Sequence, residues 1–147
     1  MKTVIFQFEV TEGDYDKNLK KVQSLFQEHT LEDDSIVVLP EMWTSGYDLE
    51  NIESLAFQNL GGIKEEMAKL AVEYKVNIVA GSVPNIKEGS DVLNTAFVVD
   101  KKGELVYEYS KIHLVPMLNE PEYLTGGDAS ADTFEMLGNK AGLVICY

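Results

Sequence analysis

The chain has 147 residues, with 12 lysines and no arginine against 25 acidic residues, a formal net charge of -13, one cysteine and two histidines. Nucleic-acid and anionic-membrane binding need clustered cations that displace counterions, and here Lys20-Lys21 and Lys101-Lys102 are isolated pairs in an acidic background. A single cysteine excludes an internal disulfide, no Cys/His cluster has zinc-ligand spacing, and a 45% apolar content speaks against a wholly disordered chain.

Residues 3–10 are rich in β-branched and aromatic side chains and read as a buried strand. Gln7 and Glu9 make this stretch too polar, and its length makes it too short, for a leader or a membrane span. The expected location is therefore a reducing cytoplasm. After a break at Gly13-Asp14, with Asp14 or Asp16 as a cap, Leu19, Val22, Phe26 and His29 recur at helical spacing. Residues 31–34 turn the chain, and 35–39 form a continuous apolar run, the mark of a strand covered on both faces, stopped by Pro40. A loop over 41–47 and a short helix within 49–57 lead to Gly61-Gly62. From there Ile63, Met67, Leu70, Ala71 and Tyr74 place a second helix up to residue 75. Residues 77–83 read as another buried strand, and 94–100 with 104–110 as a β-hairpin around Lys101-Lys102-Gly103.

Residues 116–132 are a polar, aperiodic connection, and a loop that long is more often functional than idle. A last strand-turn-strand covers 133–147, with its second strand over 140–147. The order predicts an α/β fold with helices on one face of a mixed sheet. The chain stops inside an apolar run, Gly142-Leu-Val-Ile-Cys-Tyr147, without a cap or polar tail. Termini usually lie at the surface, so the expectation is a truncation within a core strand.

Ligand sites in open α/β sheets gather at the carboxyl ends of strands. Glu41, Lys111 and Cys146 hold such positions and have complementary chemistry: a thiol nucleophile, a carboxylate that can take its proton, and a cation that can hold an oxyanion. His113, two residues after Lys111, offers a rival base, and spacing alone does not choose between it and Glu41. A second class of reading, a nucleotide-binding or regulatory domain, needs a glycine-rich turn between strand and helix. Gly61-Gly62 follows a polar segment, and Gly126-Gly127 has no clear helix after it. A third reading is a non-catalytic fragment that keeps only an interaction surface.

Three segments carry a resemblance: Val38-Leu-Pro-Glu-Met-Trp-Thr-Ser-Gly-Tyr47, Tyr109-Ser-Lys-Ile-His-Leu-Val-Pro116 and Gly142-Leu-Val-Ile-Cys-Tyr147. They resemble the signature segments of the nitrilase, or carbon-nitrogen hydrolase, superfamily, with Gly81-Ser82 and Asn94-Thr-Ala-Phe97 fitting the stretches between. Within it the sequence is most similar to ω-amidase-type bacterial amidohydrolases. The resemblance implies Glu41 as general base, Lys111 as oxyanion-stabilising cation and proton donor, and Cys146 as nucleophile. It implies Glu120 as a supporting glutamate, with Glu122 close by as a competitor. It also implies a four-layer α-β-β-α sandwich of which residues 1–147 would be the N-terminal half, no metal or organic cofactor, a small-molecule amide substrate, and assembly into homo-oligomers. An N-carbamoyl compound or a nitrile would suit the same three residues. The Asp-x-Arg-Phe-Pro segment expected after Tyr147 is not within the 147 residues, so these residues alone are expected to be inactive and poorly folded. With no arginine, any bidentate clamp on a substrate carboxylate must come from elsewhere.

Overall fold

A computed structural model describes residues 2–128 and 131–146. Tyr147, the end of the expected last strand, and Ala129-Ser130, within the long connection, lie outside the described residues. The chain runs β1 (Thr3–Ile5), α1 (Tyr15–Glu28), β2 (Ile36–Val38), a 3-10 turn at Leu49–Asn51, α2 (Ile52–Leu55), β3 (Phe57–Gln58) and α3 (Ile63–Tyr74). It continues with β4 (Asn77–Ile86), β5 (Val92–Val99), β6 (Leu105–Ser110), a second 3-10 turn at Pro116–Leu118, α4 (Glu120–Tyr123), β7 (Thr133–Met136) and β8 (Asn139–Gly142). Six strands form one mixed sheet in the order β1-β2-β4-β5-β6, with β3 also pairing β4, while β7 and β8 make a separate hairpin. β1, β2 and β4 are parallel, and β5 and β6 return as antiparallel neighbours.

Asp14 is the cap of α1, accepting the Lys17 N–H at 3.0 Å, which satisfies one of the donors a helix start leaves orphaned. The apolar stripe of α1 buries Val22 and Phe26, and that of α3 buries Ile63, Met67, Leu70 and Ala71. Both stripes meet Val37, Ile78, Phe97 and Val99 of the sheet in one cluster, so the two helices cover the same face. Phe26 sits at its centre, edge-on to Phe6 with ring centroids 5.2 Å apart and tilted against Tyr74 at 5.2 Å.

The register puts Ile5, Val38, Val79, Val98 and Tyr107 in one row on the opposite face. Tyr107 there stacks on Phe134 of β7 at 4.5 Å, and Ile145 with Leu143 packs near Ala96 and Tyr109. Cover is thin at the far end, where Ile5 is 71% exposed.

The expected strand over 3–10 stops at Ile5, because its partner β2 ends at Val38 and Pro40 then turns that chain away. The strand expected over 77–83 instead runs to Ile86 straight through Pro84. Proline lacks only its own N–H, and β5 on one side and β3 on the other hold the strand beyond it. Two elements were not foreseen, β3 and the helical turns inside 116–132. The last strand runs over Asn139–Gly142 instead of the expected 140–147. Thr133, the first residue of β7, pairs with Gly142, so residues 143–146 have no ladder partner and lie across the sheet as irregular chain.

Candidate active site

The site forms where the sheet splits. β2 pairs with the first residues of β4 and β3 with its last, and between them the chain after β2 leaves at Pro40. β4 bulges here around Gly81, whose φ is +59°. A Cβ at Gly81 would lie 1.9 Å from the Pro40 carbonyl oxygen and 2.8 Å from that of Leu39, so only glycine lets the two backbones touch. The contact is pinned on both sides. Ser82 N–H donates to the Pro40 carbonyl at 3.2 Å, Met42 N–H donates to Ser82 Oγ at 3.0 Å, and the buried Trp43 indole donates to the Ala80 carbonyl at 2.8 Å. Glu41 is thereby fixed over the carboxyl end of β2, with Met42 beside it in the left-handed region.

Lys111 follows β6, which runs parallel to β2, so it reaches the same edge of the sheet. Its side chain is fully buried, and Nζ donates to Glu41 Oε1 at 3.1 Å and to Glu120 Oε1 at 2.9 Å. Burial pulls this ammonium toward the neutral form. The hydrogen bonds and charges of Glu120 and Glu41 outweigh that pull and hold its proton above the ordinary lysine value. Glu120 opens α4, is itself fully buried, and takes the Val115 N–H on its other oxygen at 2.7 Å. Two carboxylates around one cation leave the cluster with a formal charge of -1, with Glu41 the member nearest solvent.

Gly126-Gly127 closes the back of this cluster. Gly127 N–H donates to the Lys111 carbonyl at 2.8 Å, and Cβ atoms at these glycines would approach the Ile112 and Ser110 carbonyl oxygens to 2.8 and 2.5 Å. The other pair, Gly61-Gly62, opens α3, where the Gly62 N–H is taken by the Glu65 carboxylate at 2.6 Å. Gly61-Gly62 does lie between β3 and α3, but its N–H groups are taken by the Gln58 carbonyl and the Glu65 carboxylate, and no helix follows Gly126-Gly127 among the described residues.

Cys146 is exposed and lies in the left-handed region at φ +46°. It lines a cleft of about 200 Å³ together with Glu41, Val38, Val79, Gly81 and Ala96, roofed by Leu143, Val144 and Ile145. Glu41, Lys111 and Glu120 are therefore joined directly, and Cys146 shares a cavity with Glu41. Lys111 and Glu120 lie behind Glu41 and do not line the cleft, and His113 and Glu122 are exposed and outside it too. Among the described residues no group of three or more His, Cys, Asp or Glu side chains could hold a metal ion, and no helix is long and apolar enough to cross a membrane.

Two further residues belong to the cluster. Asn94 donates from Nδ2 to Glu41 Oε1 at 2.8 Å, and the half-buried Tyr47 faces both carboxylates. Burial, then the charge of Glu41 and that of Glu120, push the Tyr47 phenol well above its ordinary value, so it stays protonated. Asn94 was detectable as the one amide within the apolar run 92–99, whereas no spacing announces Tyr47.

The carbon-nitrogen hydrolase family model matches residues 3–147. The chain is 45% identical over 148 aligned residues to a Staphylococcus aureus protein named hydrolase in agr operon, covering all of this chain and 56% of that protein. It is 38% identical over 141 residues to the 2-oxoglutaramate amidase of Bacillus subtilis, covering 96% of this chain and 53% of that one. The crystal structure of XC1258 from Xanthomonas campestris, a CN-hydrolase superfamily protein with an arsenic adduct in its active site, matches with a TM-score of 0.87 at 26% identity. That match covers 99% of this chain and 52% of XC1258. The chain thus spans about half the length of these relatives, and over that span it has the fold of their N-terminal portion. The chain belongs to the carbon-nitrogen hydrolase family.

Proposed function

We propose that the whole protein hydrolyses the amide bond of a small ω-amide through a cysteine thioester, with Cys146 as nucleophile, Glu41 as general base and Lys111 as oxyanion-stabilising cation. The observation that carries this reading is the Glu41-Lys111-Glu120 cluster opening, through Glu41, into the cleft that Cys146 lines. Glu41 takes the proton of Cys146 Sγ as the sulfur attacks the amide carbon, and the Lys111 ammonium balances the negative charge that grows on the amide oxygen. The C–N bond then breaks, and the proton held by Glu41 leaves with the amine as ammonia. Glu41 next deprotonates a water that attacks the thioester, which releases the carboxylic acid and restores the thiol. Glu120 keeps Lys111 charged and aimed, so Glu41 need not neutralise it alone.

The 2-oxoglutaramate amidase among the relatives makes 2-oxoglutaramate the first substrate to try, ahead of N-carbamoyl amino acids and nitriles. The proposal places the enzyme in the cytoplasm, where a working thiol stays reduced, as a homo-oligomer without a nucleic-acid partner. It assigns no activity to residues 1–147 alone, which form half the length of the related enzymes. In the full-length protein, Cys146→Ser and Glu41→Gln should each abolish ammonia release from 2-oxoglutaramate and related ω-amides. Near-normal release from either variant refutes the scheme.

A further inference from the structure

We infer that Asn94 is a positioning residue for Glu41, fixing which carboxylate oxygen faces the cleft as the proton acceptor; this rests on the reading of Glu41 as the base. Asn94 is fully buried, yet its Oδ1 has no hydrogen-bond partner among the described residues. An unpartnered carbonyl oxygen inside a protein is destabilising, and an aliphatic side chain of the same size would avoid that cost. What the amide offers in exchange is its other end. Nδ2 donates to Glu41 Oε1 at 2.8 Å, the same oxygen that accepts from Lys111 Nζ at 3.1 Å. The reverse amide orientation would set a carbonyl oxygen against a carboxylate, so the orientation follows from charge.

With two donors on Oε1, the plane of the Glu41 carboxylate is set, and Oε2 is the oxygen left uncommitted by Asn94 and Lys111. A lone ammonium on a flexible stem would let the carboxylate pivot and present either oxygen. Asn94 removes that freedom because its own backbone is tied to the cluster: its carbonyl accepts the Lys111 N–H at 2.9 Å. Asn94 therefore holds the side chain of Glu41 and the main chain of Lys111 at once, and keeps base and cation at a constant spacing. It touches no reacting atom in this scheme, since its effect passes through Glu41.

The test uses the full-length protein with Asn94→Leu, which keeps the size of the side chain and deletes both polar atoms. Two readouts are needed, steady-state ammonia release from 2-oxoglutaramate and the rate at which iodoacetamide alkylates Cys146. Deleting the unpartnered Oδ1 costs little, but losing the Nδ2 bond to a carboxylate should lower the melting temperature by several degrees. At the same time kcat should fall by about 10- to 100-fold with KM little changed, and alkylation should slow toward the Glu41→Gln rate. Should the leucine variant fail to fold, Asn94→Asp keeps the shape and sets a second carboxylate against Glu41, with the same expected fall in kcat. Wild-type turnover and alkylation in the Asn94 variants, alongside a dead Glu41→Gln, would overturn the positioning role while leaving Glu41 as base. A Glu41→Gln enzyme that turns over and alkylates normally overturns both.

Discussion

The two faces of the sheet are built on opposite principles. The face under α1 and α3 is apolar and closely covered, with Phe26, Val37, Ile63, Met67 and Ile78 all at or near zero exposure. On the other face the carboxyl edge carries a buried cation between two carboxylates, and within these 147 residues, about half the length of the relatives, Ile5 and Val144 are 71% and 70% exposed. Hydrophobic burial is non-directional and stabilises without selecting geometry, so the helix face can anchor the sheet while the opposite edge spends stability on fixed charges. The lesson is a division of labour: changes under the helices should move stability alone, and changes at the carboxyl edge should move chemistry as well.

The largest expected effect comes from Lys111→Met, which leaves Glu41 facing a fully buried Glu120 with no cation between them. Breaking a buried ion pair by removing one partner costs about 3–5 kcal/mol, and in the full-length protein the proposed ammonia release should vanish too. The same lysine gives the comparison a pH signature. Its folded-state value lies above the ordinary 10.5, and that of Tyr47 above the ordinary 10.0. The folded state therefore holds these protons more tightly than the unfolded chain. Their stabilisation is fully present below about pH 10 and is lost as the pH rises through the raised folded values. Melting curves between pH 9 and 11 should show wild type losing more stability than Lys111→Met; equal slopes would mean that the cluster does not stabilise the fold. Phe26→Ala is the counterpart under the helices. It should cost about 3–5 kcal/mol, yet Cys146 should alkylate at the wild-type rate while the variant is folded, and a slowed thiol would show that the two faces are coupled.

How much of this was legible in the sequence follows the same divide. α1 and α3 were readable to within about a residue, since each buries one stripe at the helical period and needs nothing distant to define it. The bulge at Gly81, the passage of β4 through Pro84 and the two-residue β3 depend on neighbours far away in sequence, and no local pattern carries them. Glu41 and Lys111 were legible as residue types after strand ends, whereas Cys146, expected near the end of the last strand, lies four residues beyond β8 on irregular chain. Spacing alone left His113 beside Glu41 and Glu122 beside Glu120, and only the resemblance chose between them; what the structure adds is that Lys111 meets Glu41 and Glu120. The irregular path of residues 143–146 was misread as strand because an apolar run fits a sheet strand and a segment laid across a sheet equally well.

Gly81→Ala tests whether the edge tolerates any loosening. The added Cβ meets the Pro40 carbonyl oxygen and the φ of +59° disfavours any side chain, so the chain carrying Glu41 must move. The positive φ alone costs about 1–3 kcal/mol, the clash with two backbone carbonyl oxygens adds to it, and the variant should lose more activity than the core variant does. The reverse ranking would sink the claim that the bulge exists to place Glu41.

The smallest effect isolates the helix side most cleanly. Asp14 accepts the Lys17 N–H at the start of α1, and loss of such a cap costs about 1 kcal/mol. One helical turn later, however, Asn18 of α1 donates to the Thr11 and Thr44 carbonyls at 2.7 and 3.3 Å, and Thr44 lies in the turn that follows Glu41. Asp14→Ala should lower the denaturant midpoint and leave KM, kcat and the alkylation rate of Cys146 unchanged, with Asp14→Ser recovering most of the loss. If the alanine variant also lowered kcat, fraying of α1 would be reaching the 41–47 turn through Asn18, and the helix face would have to be counted as part of the site.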